Sequence, residues 1–456
     1  MMARLFEHER KEKLARFVLA FAARFGSTLL SFLVLYVASR LLPALEYGLY
    51  VFLFSVGTAL GLIAVFGQQI LIVKHYRRTQ SGSNSGNHAL IRVNRNWMLL
   101  GNSVLIFAAL ILWAFEDRLA SPYNALPIAF LFAAIFALSE YLQNYFRIHG
   151  RIALSLMPRE IVWRGASVVA MIVAAYFGLS TSGVEAMAII TALLAVVTAY
   201  QVVSFVQTEG KYWLLPADKA SQPLFREESL YFTANNVLNA STSYLETIVI
   251  GAALGLDKAA FYFVALRIAM LLTLPITAID TVGIPLIANR FQAGDRDGAQ
   301  KLIGRLSGAS FAFSVAGALM IAIGGRFALG LFNPEFASHF TVLLILCGVS
   351  VSQAFFGPGS WLLMIGGGER YFLVARSAIF VLYLGLLYWL ASLFGLTGIA
   401  IASVALSVST NLAATFWIIE HWGIDNMATA FFRPLIARKH RENPRLYPTI
   451  TSELAE

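Results

Sequence analysis

The chain has little charge. Of its 456 residues only 13% are Asp, Glu, Lys or Arg, about half the share of an ordinary soluble domain, so most of its surface is not built for water. Cysteine is nearly absent: Cys347 stands alone in an apolar run, which excludes an intramolecular disulfide and leaves a small packing residue. The seven histidines (8, 75, 88, 149, 339, 421 and 440) fall in or near expected loops and tails. That placement argues against an intramembrane histidine metal site, and no metal or other cofactor is implied. The glycine cluster "GGGER" at 366 to 370 lacks the spacing of a phosphate-binding loop, so ATP binding is not supported. No paired carboxylates and no Ser/His/Asp or Cys/His constellation is visible, which speaks against an enzyme.

Hydrophobic residues make up 58% of the chain, with a mean hydropathy of +0.71. Runs of about 20 residues with few charges are long enough to cross a bilayer as helices, whereas spanning strands would show short alternating segments. The expectation is an all-α integral membrane protein with about twelve transmembrane helices. They are placed near 17 to 42, 47 to 74, 97 to 115, 123 to 147, 160 to 179, 184 to 207, 229 to 254, 259 to 288, 306 to 332, 339 to 365, 371 to 394 and 397 to 421. The first is read as a retained span, because its apolar stretch runs on from Arg16 to Leu42 without a short core or a small-residue cleavage site.

Basic residues test this layout, since short cytoplasmic loops are rich in Lys and Arg. With both termini inside, the clusters Lys74/Arg77/Arg78/Arg92/Arg95, Arg147/Arg151/Arg159/Arg164, Arg290/Arg296/Lys301/Arg305 and Arg433/Arg438/Lys439/Arg441/Arg445 all fall on the cytoplasmic side. Only Arg118, Lys258 and Arg326 sit near the outside. The net charge of +9 is thus mostly a topology signal. The segment "FFRPLIARKHRENPR" reads as a basic stretch on anionic lipid, and nucleic acid is not an expected partner.

A break recurs in the pattern. A shift of 212 positions lays "LEYGLYVF" (45 to 52) on "DKAAFYFV" (257 to 264), each at a short outside turn between two spans. Two six-helix lobes are the natural reading: 1–222 and 223–425, followed by a basic cytoplasmic tail, 426–456.

"RLLPALEYGLY" followed by "FGQQ" resembles the signature near the start of the polysaccharide (O-antigen-type) flippases, in the superfamily that also holds the MATE multidrug exporters. "ALGLDKAAFYFVALR", "IPLIANRFQAGD" and "GLTGIAIASVAL" follow in that family's order. The resemblance implies two six-helix bundles around a central cavity in the bacterial inner membrane. It also implies movement of undecaprenyl-pyrophosphate-linked oligosaccharide to the outer leaflet for O-antigen, capsule or exopolysaccharide synthesis. Expected partners are the lipid-linked oligosaccharide, membrane lipids, a polysaccharide polymerase and glycosyltransferases.

Charged side chains inside spans are where chemistry is sought, because each costs at least about 2.5 kcal/mol at the bilayer centre. Arg24, Thr28 and Ser31 share a face of span one; Asn235, Asn239, Ser243 and Glu246 do so on span seven. Glu140, Gln143, Asn144 and Arg147 share a face of span four, and Glu140 lies at the depth of Arg24, so a pair is expected there. Glu246 and Arg267 lie at one depth on adjacent antiparallel helices, which suggests another. The candidate substrate residues are Arg24, Glu140, Asn144, Arg147, Asn235, Asn239, Glu246 and Arg267, with guanidinium forks suited to phosphate oxygens. Candidates for ion coupling are Glu140, Glu246 and Asp280. A bland alternative holds for each: structural ion pairs and interhelical hydrogen bonds that fix register. A cation-coupled drug or metabolite antiporter is the second functional reading, and a membrane glycosyltransferase or polymerase a third, disfavoured by uniformly short outside connections.

Overall fold

Residues 26–76, 85–178, 182–215, 222–365 and 367–432 are described by a computed structural model. Arg24 and the basic clusters beyond Phe432 lie outside the described residues. Over the described residues each expected span coincides with helix. The first is α1 (Gly26–Leu41). The second is divided into α2 (Ala44–Ala64) and α3 (Gln68–His75), and the third and fourth are α4 (Ser85–Ala114) and α5 (Leu126–Ile148). The fifth is built from α6 (Ile152–Leu156), a π-helical turn (Met157–Trp163) and α7 (Arg164–Tyr176); the sixth is α8 (Gly183–Glu209). Then come α9 (Gln222–Ala253), the pair α10 (Leu256–Met270) and α11 (Thr273–Gln292), and α12 (Arg296–Phe332). The pair α13 (Phe340–Phe356) and α14 (Gly359–Ile365) and the long α15 (Glu369–Trp422) complete the series.

Among the described residues seven helices are singly long and apolar enough to cross a membrane, and α10 with α11, bent by 40°, passes the same test only when the two are taken together. The 54 residues of α15 would extend about 80 Å as one rod, far more than a hydrocarbon core of about 30 Å. Gly395, at φ 58° and ψ −131°, divides it into the two spans expected from sequence. The chain is a multi-pass, all-helical membrane protein, and no strand occurs among the described residues.

Each break in a span leaves backbone groups that lipid cannot satisfy, so the protein must. Between α2 and α3, Phe66 and Gly67 both take positive φ, and the Gln68 amide donates to the Phe66 carbonyl at 2.9 Å and to Ser229 Oγ at 3.1 Å. Gln68 is fully buried, so this polar pair belongs to the protein interior. Between α13 and α14, Gly357 turns with φ 60° ahead of Pro358. The Phe356 carbonyl there accepts from Asn426 Nδ2 at 2.6 Å. Asn426 and Asp425 belong to a segment that follows α15 and is buried against α12.

The described chain forms two compact units, residues 1–260 and 261–456. In the first, α2 is the central helix: Tyr47, Tyr50, Val51, Phe52 and Leu53 are all within 2% of full burial. Gly48 lets it come close to the start of α10, since a Cβ there would fall 2.1 Å from the Leu256 carbonyl. The two turns that resemble each other under the 212-residue shift therefore touch. In the second unit, Ile287, Ile303, Leu362, Leu363 and Ile418 form a buried apolar cluster.

Candidate functional site

The densest buried charge in the first unit lies on the π-helical turn. Pro158, second in that turn, has no N–H to donate, and wide turns of this kind are where a helix gives up its regular ladder, often at functional sites. The turn presents Arg159 and Glu160, and Arg164 follows one helical turn later. Arg159 Nη1 donates to Glu140 Oε2 on α5 at 2.5 Å, and its Nη2 lies 3.6 Å from Glu160 Oε1. The same guanidinium stacks 5.0 Å from the Phe136 ring.

Glu160 is held from several sides. Arg164 Nη1 and the Ser27 hydroxyl of α1 both donate to its Oε2, and Gln143 Nε2 approaches its Oε1 at 3.4 Å. Arg164 also donates to Ser27 Oγ. Two guanidiniums and two carboxylates therefore form one neutral network that stitches α1, α5 and α7 together. It is not fully dry: Arg159 keeps 10% of its side-chain surface, Glu140 and Glu160 18% each, and Arg164 21%.

Among the sequence candidates, Glu140 and Asn144 are brought together. Asn144 Nδ2 donates to the Glu140 carbonyl at 3.0 Å and to its Oε1 at 3.3 Å. Among the described residues Glu140 forms an ion pair with Arg159, and its expected partner, Arg24, lies outside them. The helix that carries the fifth span begins at Ile152, ahead of the expected start near 160, so Arg159 and Arg164, which the sequence groups with the cytoplasmic basic clusters, lie within it and pack against α5 and α1. The sequence held a clue in "REIVWR", where Glu160 and Arg164 stand four apart on one helix face. Arg147 is exposed at the end of α5, as a snorkelling residue would be.

On α9, Asn235 and Ser243 are half-buried and Asn239 is exposed, while Glu246 is only 5% exposed. Asn236, not one of the expected stripe, turns inward and reaches the Leu62 carbonyl at 3.4 Å. In the second unit, the Arg267 guanidinium lies 4.6 Å from the Phe263 ring, with Nη1 3.8 Å from Met270 sulfur. Glu246 and Arg267 belong to different units, and their pairing stays an expectation. Asp280 is half-buried on α11 and has no hydrogen-bond or ion-pair partner among the described residues; Thr277 and Thr281 flank it on the exposed side. Cys347 is buried. No group of three His, Cys, Asp or Glu side chains able to hold a metal occurs among the described residues.

The fold is that of MATE transporters. An inward-facing multidrug resistance MATE family transporter of the MOP superfamily aligns with a TM-score of 0.67 at 15% identity, covering 86% of this chain and 93% of its own. A MATE protein in its straight conformation aligns at 0.55 and 14% identity, covering 87% and 92%. A MOP superfamily transporter from Pyrococcus furiosus aligns at 0.53 and 15% identity, with the same coverage. No curated protein matches the sequence. Residues 15–291, more than half of the chain, match the family described as polysaccharide biosynthesis protein, and the chain belongs to that family.

Proposed function

We propose that the protein is a flippase that moves undecaprenyl-pyrophosphate-linked oligosaccharide from the cytoplasmic to the outer leaflet of the bacterial inner membrane, with both termini in the cytoplasm. The observation that carries this reading is the incompletely dried Arg159/Arg164 network between α1, α5 and α7 in a chain of the polysaccharide biosynthesis family. A guanidinium already paired with a carboxylate can exchange that partner for phosphate oxygens of similar geometry, so the network can hold an anionic headgroup without leaving a bare charge when empty. Exposed Asn239 and half-buried Asn235 and Ser243 suit a wet, sugar-accepting surface better than a lipid-facing one. Arg24, Arg267, Asn144 and Arg147 complete the candidate set. Glycosyltransferases would supply the substrate and a polymerase would consume it.

The antiporter reading has one observation in its favour, the half-buried Asp280 within α11, which has no ion-pair partner among the described residues and suits a coupling ion as well as Glu140 or Glu246 does. Reconstitution decides. Proteoliposomes holding the protein and a lipid-linked oligosaccharide are expected to make the headgroup accessible to a lectin from the far side. Arg159→Gln, Arg24→Ala and Arg267→Ala, at normal expression, are expected to reduce that rate strongly. No translocation under any imposed gradient, with the right lipid confirmed present, overturns the proposal.

A further inference from the structure

A cleft of about 660 Å³ opens in the first unit between α4 and α9, well within the range of small-ligand sites. Its walls are Val93, Trp97 and Leu100 on α4 and Leu230 on α9, and its polar edge is Asn96, Arg226 and Glu227. The apolar wall runs about 10 Å along α4 from Val93 to Leu100. It ends where α4 closes onto α2, since a Cβ on Gly101 would meet the Ala64 carbonyl at 2.2 Å. Trp97 is fixed from behind by Phe66, with ring centroids 5.3 Å apart.

The polar edge lies close to the start of α9, at the cytoplasmic interface by the positive-inside layout. Asn96 is occupied by the neighbouring Arg95, whose other donors hold the carbonyls of Trp213 and Leu215. Arg226 and Glu227, by contrast, have no hydrogen-bond or ion-pair partner among the described residues, although they adjoin each other. A cation and an anion, side by side and unpaired among the described residues, thus stand at the mouth of an apolar slot at headgroup level.

We propose that this cleft binds a cytoplasmic-leaflet phospholipid with a zwitterionic headgroup, phosphatidylethanolamine being the form that carries donors on its ammonium. Arg226 takes the phosphate, Glu227 takes the ammonium, and one acyl chain lies along Val93, Trp97, Leu100 and Leu230. The charge pattern selects the occupant. An anionic lipid such as phosphatidylglycerol, or a polyprenyl phosphate, would satisfy Arg226 but place its negative charge beside Glu227 with nothing to offset it. The inference depends on membrane placement and not on the cargo, so it stands or falls separately from flippase activity.

The test is native mass spectrometry of the full chain released from micelles containing equimolar phosphatidylethanolamine and phosphatidylglycerol with matched acyl chains, with and without undecaprenyl phosphate. Wild type is expected to retain one phosphatidylethanolamine in preference to phosphatidylglycerol by about tenfold, the worth of one charge-assisted contact. Glu227→Gln is expected to bring that ratio close to one, and Arg226→Gln to reduce retention of both lipids. Both side chains are exposed, so melting in detergent should not change, and Leu100→Trp, which fills the slot, gives an independent loss of retention. Equal retention of the two phospholipids by wild type, or a preference unchanged in all three variants, would show annular lipid only and overturn the proposal. So would displacement of phosphatidylethanolamine by undecaprenyl phosphate at equal concentration.

Discussion

Arg159 and Glu140, nineteen positions apart in sequence, meet at 2.5 Å between the π-helical turn and α5. Removing one member of a buried pair leaves the other uncompensated, at a cost of about 3–5 kcal/mol, whereas replacing both by apolar groups of similar volume is often neutral. Arg159→Met is therefore expected to lower the detergent melting temperature steeply, and Arg159→Met with Glu140→Leu to recover much of the loss. Transport should separate the roles. If the guanidinium meets the headgroup, the double variant is stable and inactive; a stable double variant that still flips substrate would make the network purely structural.

Gly48 and Gly183 define one corner of the first unit. Glu46 Oε2 accepts from the Gly183 N–H at 2.6 Å, at the positive end of α8, so this turn residue holds a helix terminus rather than merely reversing the chain. A Cβ on Gly183 would lie 2.3 Å from the Glu46 carbonyl, and one on Gly48 2.1 Å from that of Leu256. Both contacts are with backbone, which cannot rotate away. Gly48→Ala and Gly183→Ala are each expected to cost about 1–3 kcal/mol, read as a lower melting temperature. Gly165→Ala, where nothing lies within 4 Å, serves as the tolerant control.

The spans were legible because a membrane helix is written locally: over the described residues every apolar window coincides with helix, and even Gly395 within α15 separates the two spans as expected. The charged network was not. Arg159 and Arg164 look like loop residues to any hydropathy window, because a window sees the charges and not Glu140 and Ser27, which neutralise and bind them from other helices. Glu140 and Asn144 were found by helical spacing, which is also local. The 212-residue echo marked the regions of Gly48 and Leu256, but that they touch depends on packing that no single stretch encodes.

Asp280 tests coupling. It stands half-buried on α11 with no partner among the described residues, where a carboxylate able to take up and release a proton would be placed. Asp280→Asn is nearly isosteric and cannot titrate. If Asp280 couples transport to protons, the variant should fold, retain substrate binding and lose the acceleration that an imposed proton gradient gives wild-type proteoliposomes. A gradient response equal to wild type would exclude Asp280 and leave Glu140 and Glu246 as candidates.

Asn426 repairs the break between α13 and α14. Its Nδ2 donates to the Phe356 carbonyl at 2.6 Å and to Thr415 Oγ1 at 3.0 Å, while its own carbonyl accepts from Ser307 at 2.8 Å. The residue is fully buried, so water cannot replace what it supplies. Asn426→Ala leaves the Phe356 carbonyl without its donor and is expected to cost about 1–3 kcal/mol. Asn426→Asp should cost more, because it points a carboxylate oxygen at that carbonyl in the same space. The order wild type, Ala, Asp in melting temperature separates a donor requirement from simple space filling: if volume were what counted, Asp would match Asn and Ala alone would fall.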